Sequence, residues 1–495
     1  MFLDDTHRIL RENVRKRMEQ PDIKKMIARY ERRRGPFAWE FVHAMAELGL
    51  CGINIPGAYG GAGADNRSGI IVMMEMSRIW AGGALVLAVG NSLAGYPLAR
   101  WGSEEQKQRW LPNLAAGKIL GCFALTESDV GSDASHIRTT AEHNGDGWRM
   151  SGEKHFITNS PVASFIVVFA RTDQALQDHK GISAFVVPAR PARIRKGTLA
   201  IGKPQAKKGL HAAHMAPIWF DQHAVSSSAL LGQREKGFRV AMETLNHGRL
   251  WITAQAVGLL ERAYELAKLH AERRITFGAP LITRQSIRHD LTKLACSLDA
   301  ARLLLFSAGL MEDEGKEFAP HASLAKLFAT EELKRLKGKA QDIHGGSGYL
   351  EEIEIGRIIV DGDVPNIYEG ASNVQRDLIL KAWLDGHLPL ISPQEQSSQM
   401  LFLKHELQEA LAGTSALYAK AQVLAFDVAD LLPLIEAHSL VEHCIKTDSW
   451  PREFMTFQNP ALLEQLLKKR IAAQMPKEWR VTIPLFDEAA DHILL

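Results

Sequence analysis

One acidic residue, Glu369, stands between an aromatic residue and a glycine in the segment NIYEGASNVQR (366–376). Upstream, Pro365 fixes its own φ and pushes the residue before it towards extended geometry, which predicts a turn. Downstream, Ser372 and Gln375 fit an S-x-x-Q capping box, and apolar residues follow at helical spacing. Glu369 is therefore predicted to lie on a short connection before a helix. A carboxylate at that place is either a surface acid near a helix N-terminus or a general base.

Other segments that could carry chemistry fit known patterns poorly. Residues 344–348 read HGGSG and contain G-x-G, but Glu351 stands where a third glycine would be needed, and no strand signal precedes them. The sequence contains neither a G-x-x-x-x-G-K-[ST] phosphate loop nor an H-E-x-x-H zinc motif. No metal site or disulfide framework is indicated, and a reducing compartment is favoured, because no C-x-x-C pair occurs among Cys51, Cys122, Cys296 and Cys444.

The composition indicates an ordinary globular protein. The chain has 495 residues, enough for roughly three domains, with 46% apolar residues, 23% charged residues and a net charge of +2. Its first residues, MFLDDTHRIL, show no secretory signal, and the longest uninterrupted apolar run, residues 84–89, is too short to span a bilayer. We therefore expect a cytoplasmic location.

Two basic stretches have more than one interpretation. Residues 8–34 contain eleven Lys and Arg against four acids, and residues 190–208 contain seven basic residues and no acid. The favoured interpretation is a solvated helix face for the first and a solvated loop for the second. The alternatives are a nucleic-acid or membrane surface for the first stretch and an anionic substrate for the second.

The order of helix and strand signals predicts an α+β fold with four parts. Helical periodicity dominates before Gly121, short Val/Ile/Phe-rich runs separated by turn signals follow, and helical periodicity then returns. Pro389, Pro393 and a Gln/Ser-rich segment predict a linker before a last, mostly helical extension. The predicted parts are an N-terminal helical domain (1–120), a central β domain (121–232), a helical bundle (233–387) and the extension (388–495).

Three motifs resemble the signatures of the acyl-CoA dehydrogenases. They are FALTESDVGSD (123–133) with KHFITN (154–159), ERRITFG (272–278), and IHGGSGYLEE (343–352) with NIYEGASNVQR (366–376). The resemblance extends over roughly residues 40–385, with the motifs in order. It implies the family fold, in which N-terminal helices, a β domain and a four-helix bundle hold FAD between them.

The resemblance also implies a reaction and partners. In the family, a base removes the α-proton of an acyl-CoA thioester while flavin N5 accepts the β-hydride, and Glu369 falls at the position of that base. Burial beside an apolar acyl chain strengthens a carboxylate as a base, Gly370 leaves room for the substrate, and the N–H of Glu369 is placed to donate to the thioester oxygen. Some relatives carry the base elsewhere, where this chain has Gly248. Electron-transferring flavoprotein is the implied electron acceptor, a homodimer or homotetramer is implied, and no nucleic-acid partner is expected.

Further site residues follow from the resemblance, position by position. Those beside the flavin are Phe123, Leu125, Thr126, Gly131, Ser132, Phe156 and Thr158. Those reaching the neighbouring subunit's FAD are Arg274, Phe277 and Gln285, and the remaining cofactor positions are Asp342, Gly345, Gly346, Ala371 and Asn373. The substrate-binding positions are Ser132, Asn246, Arg249, Tyr368 and Gly370.

Several of these positions depart from the family pattern and indicate a divergent member. Asp342 replaces a glutamine, and an acid near a pyrophosphate is repulsive. Ala371 replaces a threonine and Phe156 a tryptophan. Asn246 replaces an aspartate, and Ala213 and Met215 replace a serine and a threonine.

Two other functions within this superfamily, and several roles for the extension, are compatible with the sequence. One alternative is an acyl-CoA oxidase, and the other is a non-turnover flavoprotein of the DNA-damage-response branch, which would use basic patches and a C-terminal extension. The extension could lengthen the acyl pocket, contact a membrane or mediate assembly. The apolar stretch ALVLAVGNSL (84–93) resembles the helix that lines the acyl pocket, which predicts an aliphatic acyl tail of at least medium length, although a plain core helix would look the same.

Overall fold

The computed structural model describes residues 3–31, 35–176, 178–189, 198–388, 415–447 and 449–474. The chain forms two compact units, one of residues 9–258 and one of residues 1–8 with 259–495. The boundary between the two units falls within a helix. The division into four domains stays a prediction.

Helices precede the sheet in the first unit, as the periodicity predicts. Asp65 caps the N-terminus of the fourth helix by accepting a hydrogen bond from the Ser68 N–H at 2.9 Å, directly after the glycine-rich segment 57–63. A π-helical turn, Val89–Gly95, follows that helix, and the whole of residues 84–93 is buried. The helices are α1 (Asp5–Met18), α2 (Pro21–Tyr30), α3 (Trp39–Ala46), α4 (Asn66–Ala88), α5 (Tyr96–Trp101) and α6 (Glu104–Ala115).

By length and composition alone, two helical stretches of the described chain could cross a membrane. They are Asn66–Trp101 and Gln285–Asp313, and 100% and 83% of their most apolar windows are buried inside the protein. The short apolar run of residues 84–89 led to the expectation that no segment is long enough to span a bilayer. The two longer stretches pass the test because they stay apolar on average although small and polar residues interrupt them. Such burial is typical of core helices.

Part of the basic N-terminal stretch is turned inwards. Glu75 on α4 is fully buried, and its carboxylate accepts hydrogen bonds from Arg11 Nε at 2.8 Å and Arg15 Nε at 2.7 Å. The interpretation of residues 8–34 as a solvated face is therefore wrong for these two arginines, which neutralise a buried charge. Residues 32–34 and 190–197 lie outside the described residues.

An eight-stranded sheet forms the rest of the first unit. Its strands run in the order β6-β7-β3-β2-β4-β5-β8, and β1 pairs in parallel with β4. On β4, Ile166 and Val168 face one apolar core while Val167 and Phe169 face another, which explains why this strand reads as a continuous apolar run. The strands are β1 (Gly121–Ala124), β2 (Thr140–His143), β3 (Gly147–Thr158), β4 (Phe165–Arg171), β5 (Ile182–Pro188), β6 (Leu199–Ile201), β7 (Met215–Ser226) and β8 (Leu230–Leu231).

Helices return after the sheet and form the second unit. A short hairpin of β9 (Ile275–Thr276) and β10 (Ala279–Pro280) follows the first of them. The predicted linker lies outside the described residues, whereas the described part of the extension is mostly helical. The helices are α7 (Gly237–Arg273), which begins in the first unit, α8 (Gln285–Asp313), α9 (Ala319–His344), α10 (Glu354–Asp361), α11 (Ser372–Leu384), α12 (Ser415–Lys446) and α13 (Pro460–Gln474).

The extension is anchored to the bundle by apolar and ionic contacts. Val428 and Leu432 of α12 join an apolar cluster with residues of α9 and α11. Asp299 on α8 is buried and accepts hydrogen bonds from the backbone N–H groups of Thr456 at 2.8 Å and Phe457 at 2.7 Å. A second anchor is the ion pair between Arg470 of α13 and the buried Glu332 of α9.

Glu332 and Glu436 show opposite responses to burial. Burial alone would raise the pKa of Glu332, but the charges of Arg470 and Arg335 outweigh it and lower this pKa to about 2. Glu436 on α12, by contrast, is buried and shares with His321 a narrow gap that has no room for a water molecule, and burial raises its pKa to about 8. Burial lowers the pKa of His321 to about 4, so both groups are neutral near pH 7.

We predict that Glu436 makes folding less favourable as the pH rises. The folded pKa of about 8 exceeds the ordinary 4.5, so the folded state binds the extra proton and stability falls between these two values. The loss approaches about 1.4 kcal/mol per pH unit. Glu436→Gln should flatten this dependence and raise the free energy of unfolding near neutral pH, as measured by denaturant titration across this window. The partly exposed Glu442 on the same helix provides the control, Glu442→Gln, and equal slopes in both variants would contradict the prediction.

Candidate active site

The first group of predicted cofactor residues lies where β1 ends. Phe123 packs against Phe169 with 4.9 Å between ring centroids. Strand β3 holds the backbone carbonyl oxygens of Leu125 and Thr126, which are also predicted to lie beside the flavin. The Leu125 carbonyl accepts a hydrogen bond from Lys154 Nζ at 2.9 Å, and the Thr126 carbonyl accepts one from the His155 N–H at 2.9 Å. Two segments that the resemblance assigns to the flavin are thus fixed against each other.

A buried ion pair, which the sequence analysis missed, supports this arrangement. Lys154 is fully buried, and its Nζ also lies 2.8 Å from Glu127 Oε1. Glu127 accepts further hydrogen bonds from the backbone N–H groups of Arg138 at 2.6 Å and Thr139 at 2.9 Å. Burial lowers the pKa of Lys154 to about 8 against the opposing pull of Glu127. Both residues lie inside the quoted motifs, but no local pattern shows that they pair.

The end of β3 presents an aromatic ring outwards. The β3–β7 pairing shifts register between Lys154 and Ile157, and Phe156 within this irregularity has φ +59° and a 59% exposed side chain. A bulge of this kind re-aims a side chain, here away from the core. Thr158 is partly buried at the end of the same strand.

The loop after β1 and the start of α7 carry the substrate positions of the first unit. Gly131 and Ser132 are exposed on that loop. Arg249 is buried, and its Nη1 donates to Asn246 Oδ1 at 2.5 Å, so these two substrate positions contact each other across one helical turn. Gly248, between them, has no side chain that could act as a base.

In the second unit, Glu369 lies on a tight connection, as predicted. Its φ is +55° and that of Gly370 is +94°, so a residue with a side chain adopts the left-handed conformation, which costs about 1–2 kcal/mol. The Ile367 N–H donates to the Val364 carbonyl at 2.8 Å and closes the turn before it. Tyr368, the neighbouring substrate position, is partly buried.

The predicted capping box after Glu369 is wrong. Helix α11 begins at Ser372, with Ala371 as its N-cap residue and no side-chain cap. The Ser372 hydroxyl instead contacts Glu331, and Gln375 Nε2 donates to the Gly370 carbonyl at 3.2 Å. Ser372 and Gln375, which the local pattern pairs with each other, each hydrogen-bond to a different group instead.

The positions assigned to the neighbouring subunit's FAD are open to solvent in this chain. Phe277 forms the tip of the β9–β10 hairpin, with φ +49° before Gly278 at +78°, and is 97% exposed. The Arg284 guanidinium lies 5.4 Å from the centroid of its ring. Arg274 and Gln285, on either side, are exposed as well. An aromatic ring and polar groups at one tip form a surface that another molecule can contact.

The remaining cofactor positions lie near the ends of α9 and α11. Gly345 and Gly346 are exposed after α9, and the exposed Asn373 accepts from Arg376 Nη1 at 3.1 Å. Lys339 Nζ lies 3.6 Å from Asp342 Oδ2, so a cation one turn away offsets part of the repulsion expected from this acid.

Each unit by itself carries groups whose chemistry fits a part of FAD. The first unit supplies an outward-facing aromatic ring, two hydroxyl groups and fixed backbone groups at positions 125 and 126. The second unit supplies an exposed guanidinium and an amide, which suit a pyrophosphate and an adenosine.

Known proteins resemble this chain over most of its length. Three family models match the chain: the acyl-CoA dehydrogenase N-terminal domain over residues 4–118, the middle domain over residues 122–223 and the C-terminal domain over residues 235–384. The extension lies beyond all three. Short-chain specific acyl-CoA dehydrogenase of Bos taurus is 39% identical over 387 residues, which are 78% of this chain and 90% of the bovine protein.

Two further relatives cover most of their own length. A subunit of the caffeyl-CoA reductase–Etf complex of Acetobacterium woodii is 35% identical over 77% of this chain and 98% of its own. The solved structure of butyryl-CoA dehydrogenase from Megasphaera elsdenii superposes with a TM-score of 0.73 at 33% identity, over 77% of this chain and 99% of its own. The chain therefore belongs to the acyl-CoA dehydrogenase family, the FAD-dependent oxidoreductases that act on the CH–CH bond of acyl-CoA thioesters.

Proposed function

We propose that this chain dehydrogenates aliphatic acyl-CoA thioesters between the α- and β-carbons, with Glu369 as the base that removes the α-proton. The observation that carries the proposal is Glu369 in a left-handed turn, fixed between Val364 and α11, inside the motif that resembles the family's base. The other position from which relatives supply a base is Gly248, which has no side chain.

The chain's own residues bind the thioester, orient it and move a proton. The carboxylate of Glu369 receives the proton from the α-carbon and holds it. The N–H of Glu369 donates to the thioester oxygen, where negative charge develops as the proton leaves. Gly370 leaves space beside the carboxylate, and Ser132, Asn246, Arg249 and Tyr368 contribute to binding.

FAD would be held on the flavin side by Phe123, Leu125, Thr126, Gly131, Ser132, Phe156 and Thr158. When bound, it supplies the acceptor for the hydride of the β-carbon. The exposed Arg274, Phe277 and Gln285 would complete the cofactor site of a second copy of the chain, with Asp342, Gly345, Gly346, Ala371 and Asn373 as further contacts. Such a shared site supports a homodimer or a homotetramer.

The electron acceptor that we propose is an electron-transferring flavoprotein. The Acetobacterium relative, named as part of an Etf complex, supports it. A cytoplasmic location is also part of the proposal, supported by the four cysteines, which are all free thiols as a reducing compartment would keep them.

The alternatives can be separated from this function by experiment. After anaerobic reduction by substrate, the flavin of an acyl-CoA oxidase would be reoxidised rapidly in air. The flavin of a dehydrogenase would need the electron-transferring flavoprotein for its reoxidation. A non-turnover DNA-binding relative would shift duplex DNA in a salt-dependent way. The inward pairing of Arg11 and Arg15 with Glu75 favours the enzyme, because it removes two charges from the basic surface which that alternative requires.

Glu369→Gln should abolish reduction of the bound flavin by acyl-CoA while leaving the affinity for acyl-CoA largely intact. The amide keeps the shape of the side chain but cannot accept the α-proton, so the anaerobic rate should fall by several orders of magnitude. The exposed Glu352 gives a matched control, since Glu352→Gln should retain the wild-type rate. Near-normal reduction in Glu369→Gln would refute the assignment of the base.

The enzyme should prefer an unsubstituted aliphatic tail. Every side chain of residues 84–89 is apolar and buried, so a carboxylated tail beside this helix would lose its hydration without gaining a partner charge. Turnover measured across saturated acyl-CoAs from butyryl to stearoyl should define the length limit, and the bovine and Megasphaera relatives make butyryl-CoA the first to test. A sharp preference for glutaryl-CoA would contradict the prediction.

Phe156→Ala should weaken FAD binding with little effect on the fold. The ring is largely exposed, so the free energy of unfolding of the apoprotein should change by no more than about 0.5 kcal/mol. Loss of ring stacking should raise the Kd for FAD by about tenfold, as measured by flavin fluorescence titration. Phe156→Trp, which restores the ring found in many relatives, serves as the control and should keep the wild-type Kd. An unchanged Kd in Phe156→Ala would refute the contact.

A further inference from the structure

A buried lysine of helix α9 reaches the connection that carries Glu369. Lys326 is fully buried, and its Nζ donates to the carbonyl oxygen of Gly370. An ammonium group is expensive to remove from water, so a lysine in the interior of a bundle indicates a specific structural requirement. The residue that it contacts follows Glu369 directly.

Gly370 is the point at which this connection most needs a restraint. Glycine has the widest conformational freedom of any residue, and here it links the left-handed Glu369 to the N-terminus of α11. Rotation about Gly370 would swing the carboxylate of Glu369 relative to that helix. Its carbonyl is held by two donors, Lys326 Nζ and Gln375 Nε2, and both of these side chains are fully buried.

The same helix holds the connection at a second point. Glu331, five residues after Lys326 on α9, accepts from the Ser372 hydroxyl, and the Ser372 N–H donates to the Asn366 carbonyl at 3.1 Å. The segment from Asn366 to Ser372 is therefore closed on itself and attached to α9 at two points, the Gly370 carbonyl and the Ser372 hydroxyl. Hydrogen bonds from a charged donor are stronger than neutral ones, so Lys326 provides the firmer of the two contacts on that carbonyl.

We propose that Lys326 is a positioning residue for the proton-removing step: by holding the Gly370 carbonyl, it fixes the direction in which the Glu369 carboxylate points. The inference rests on the proposed role of Glu369 as the base. Lys326 itself does not touch the substrate. Loss of Lys326 would misplace the Glu369 carboxylate. A displacement of about 1 Å can lower the rate about a hundredfold.

Lys326→Met tests the proposal, because methionine preserves the length and most of the packing of the side chain but removes the donor. The control is Lys337→Met, on the same helix. Lys337 is also buried and also donates to a backbone carbonyl, that of Ile359 at 2.7 Å; it pairs with Asp363 as well, so it holds the chain before the turn and not the Gly370 carbonyl. Two measurements on the FAD-loaded full chain separate positioning from general stability.

The first measurement is exchange of the acyl-CoA α-proton with solvent deuterium in enzyme whose flavin has been reduced beforehand, so that only proton removal is observed. Lys326→Met should slow this exchange by about tenfold to a hundredfold, with the Kd for acyl-CoA changed by less than about threefold. Lys337→Met should exchange at the wild-type rate. Wild-type exchange in Lys326→Met, or an equal loss in both variants, would overturn the proposal.

The second measurement is amide hydrogen exchange over residues 368–374, which reports local opening of the connection around Gly370. It should be faster in Lys326→Met and unchanged in Lys337→Met, and the reverse result would overturn the proposal. If Lys326→Met does not fold, Gln375→Leu removes the other donor to the same carbonyl and should slow α-proton exchange in the same way; a wild-type rate there would count against the proposal. Failure of the proposed function looks different, because Glu369→Gln would then keep the wild-type rate of α-proton exchange.

Discussion

A charge that is taken out of water must be paired or hydrogen-bonded, because an unpaired buried ion costs several kcal/mol. In the first unit, Glu75 is paired with two arginines of α1 and Lys154 with Glu127. In the second unit, Glu332 is paired with Arg470. The Glu127–Lys154 and Glu332–Arg470 partners are 27 and 138 residues apart, so each contact also fixes how distant segments of its unit pack.

Each unit uses a buried lysine to hold backbone next to a candidate site residue. Lys154 binds the Leu125 carbonyl at the segment assigned to the flavin, and Lys326 binds the Gly370 carbonyl beside the assigned base. Loops carry functional groups but have few packing contacts of their own. A charged donor from a rigid strand or helix supplies the restraint, which explains why such costly residues occur next to the motifs.

The extension is built into the unit that contains Glu369. Its backbone N–H groups at Thr456 and Phe457 satisfy the buried Asp299, and its apolar residues complete a cluster with α9 and α11. Helix α9 therefore contacts the connection around Gly370 through Lys326 and packs in the cluster that α12 completes. Glu436 and His321 lie where α8, α9 and α12 meet, and the pKa shifts that their burial causes predict that this contact depends on pH.

Features that depend on neighbouring residues could be predicted from the amino-acid sequence. Periodicity located the helices and strands, glycine and proline located the turns, and the motifs identified the family and made Glu369 a candidate base, since each signal is contained in a short segment. The long-range partner of each polar side chain follows only from the folded chain. Ser372 and Gln375 do not cap α11, because Glu331 and the Gly370 carbonyl lie within reach, and the partly buried Arg11 and Arg15 pair with Glu75. The contact of Lys326 with the Gly370 carbonyl could not be predicted from the sequence either. A local pattern shows which chemical group a side chain carries, whereas its partner depends on how the chain folds.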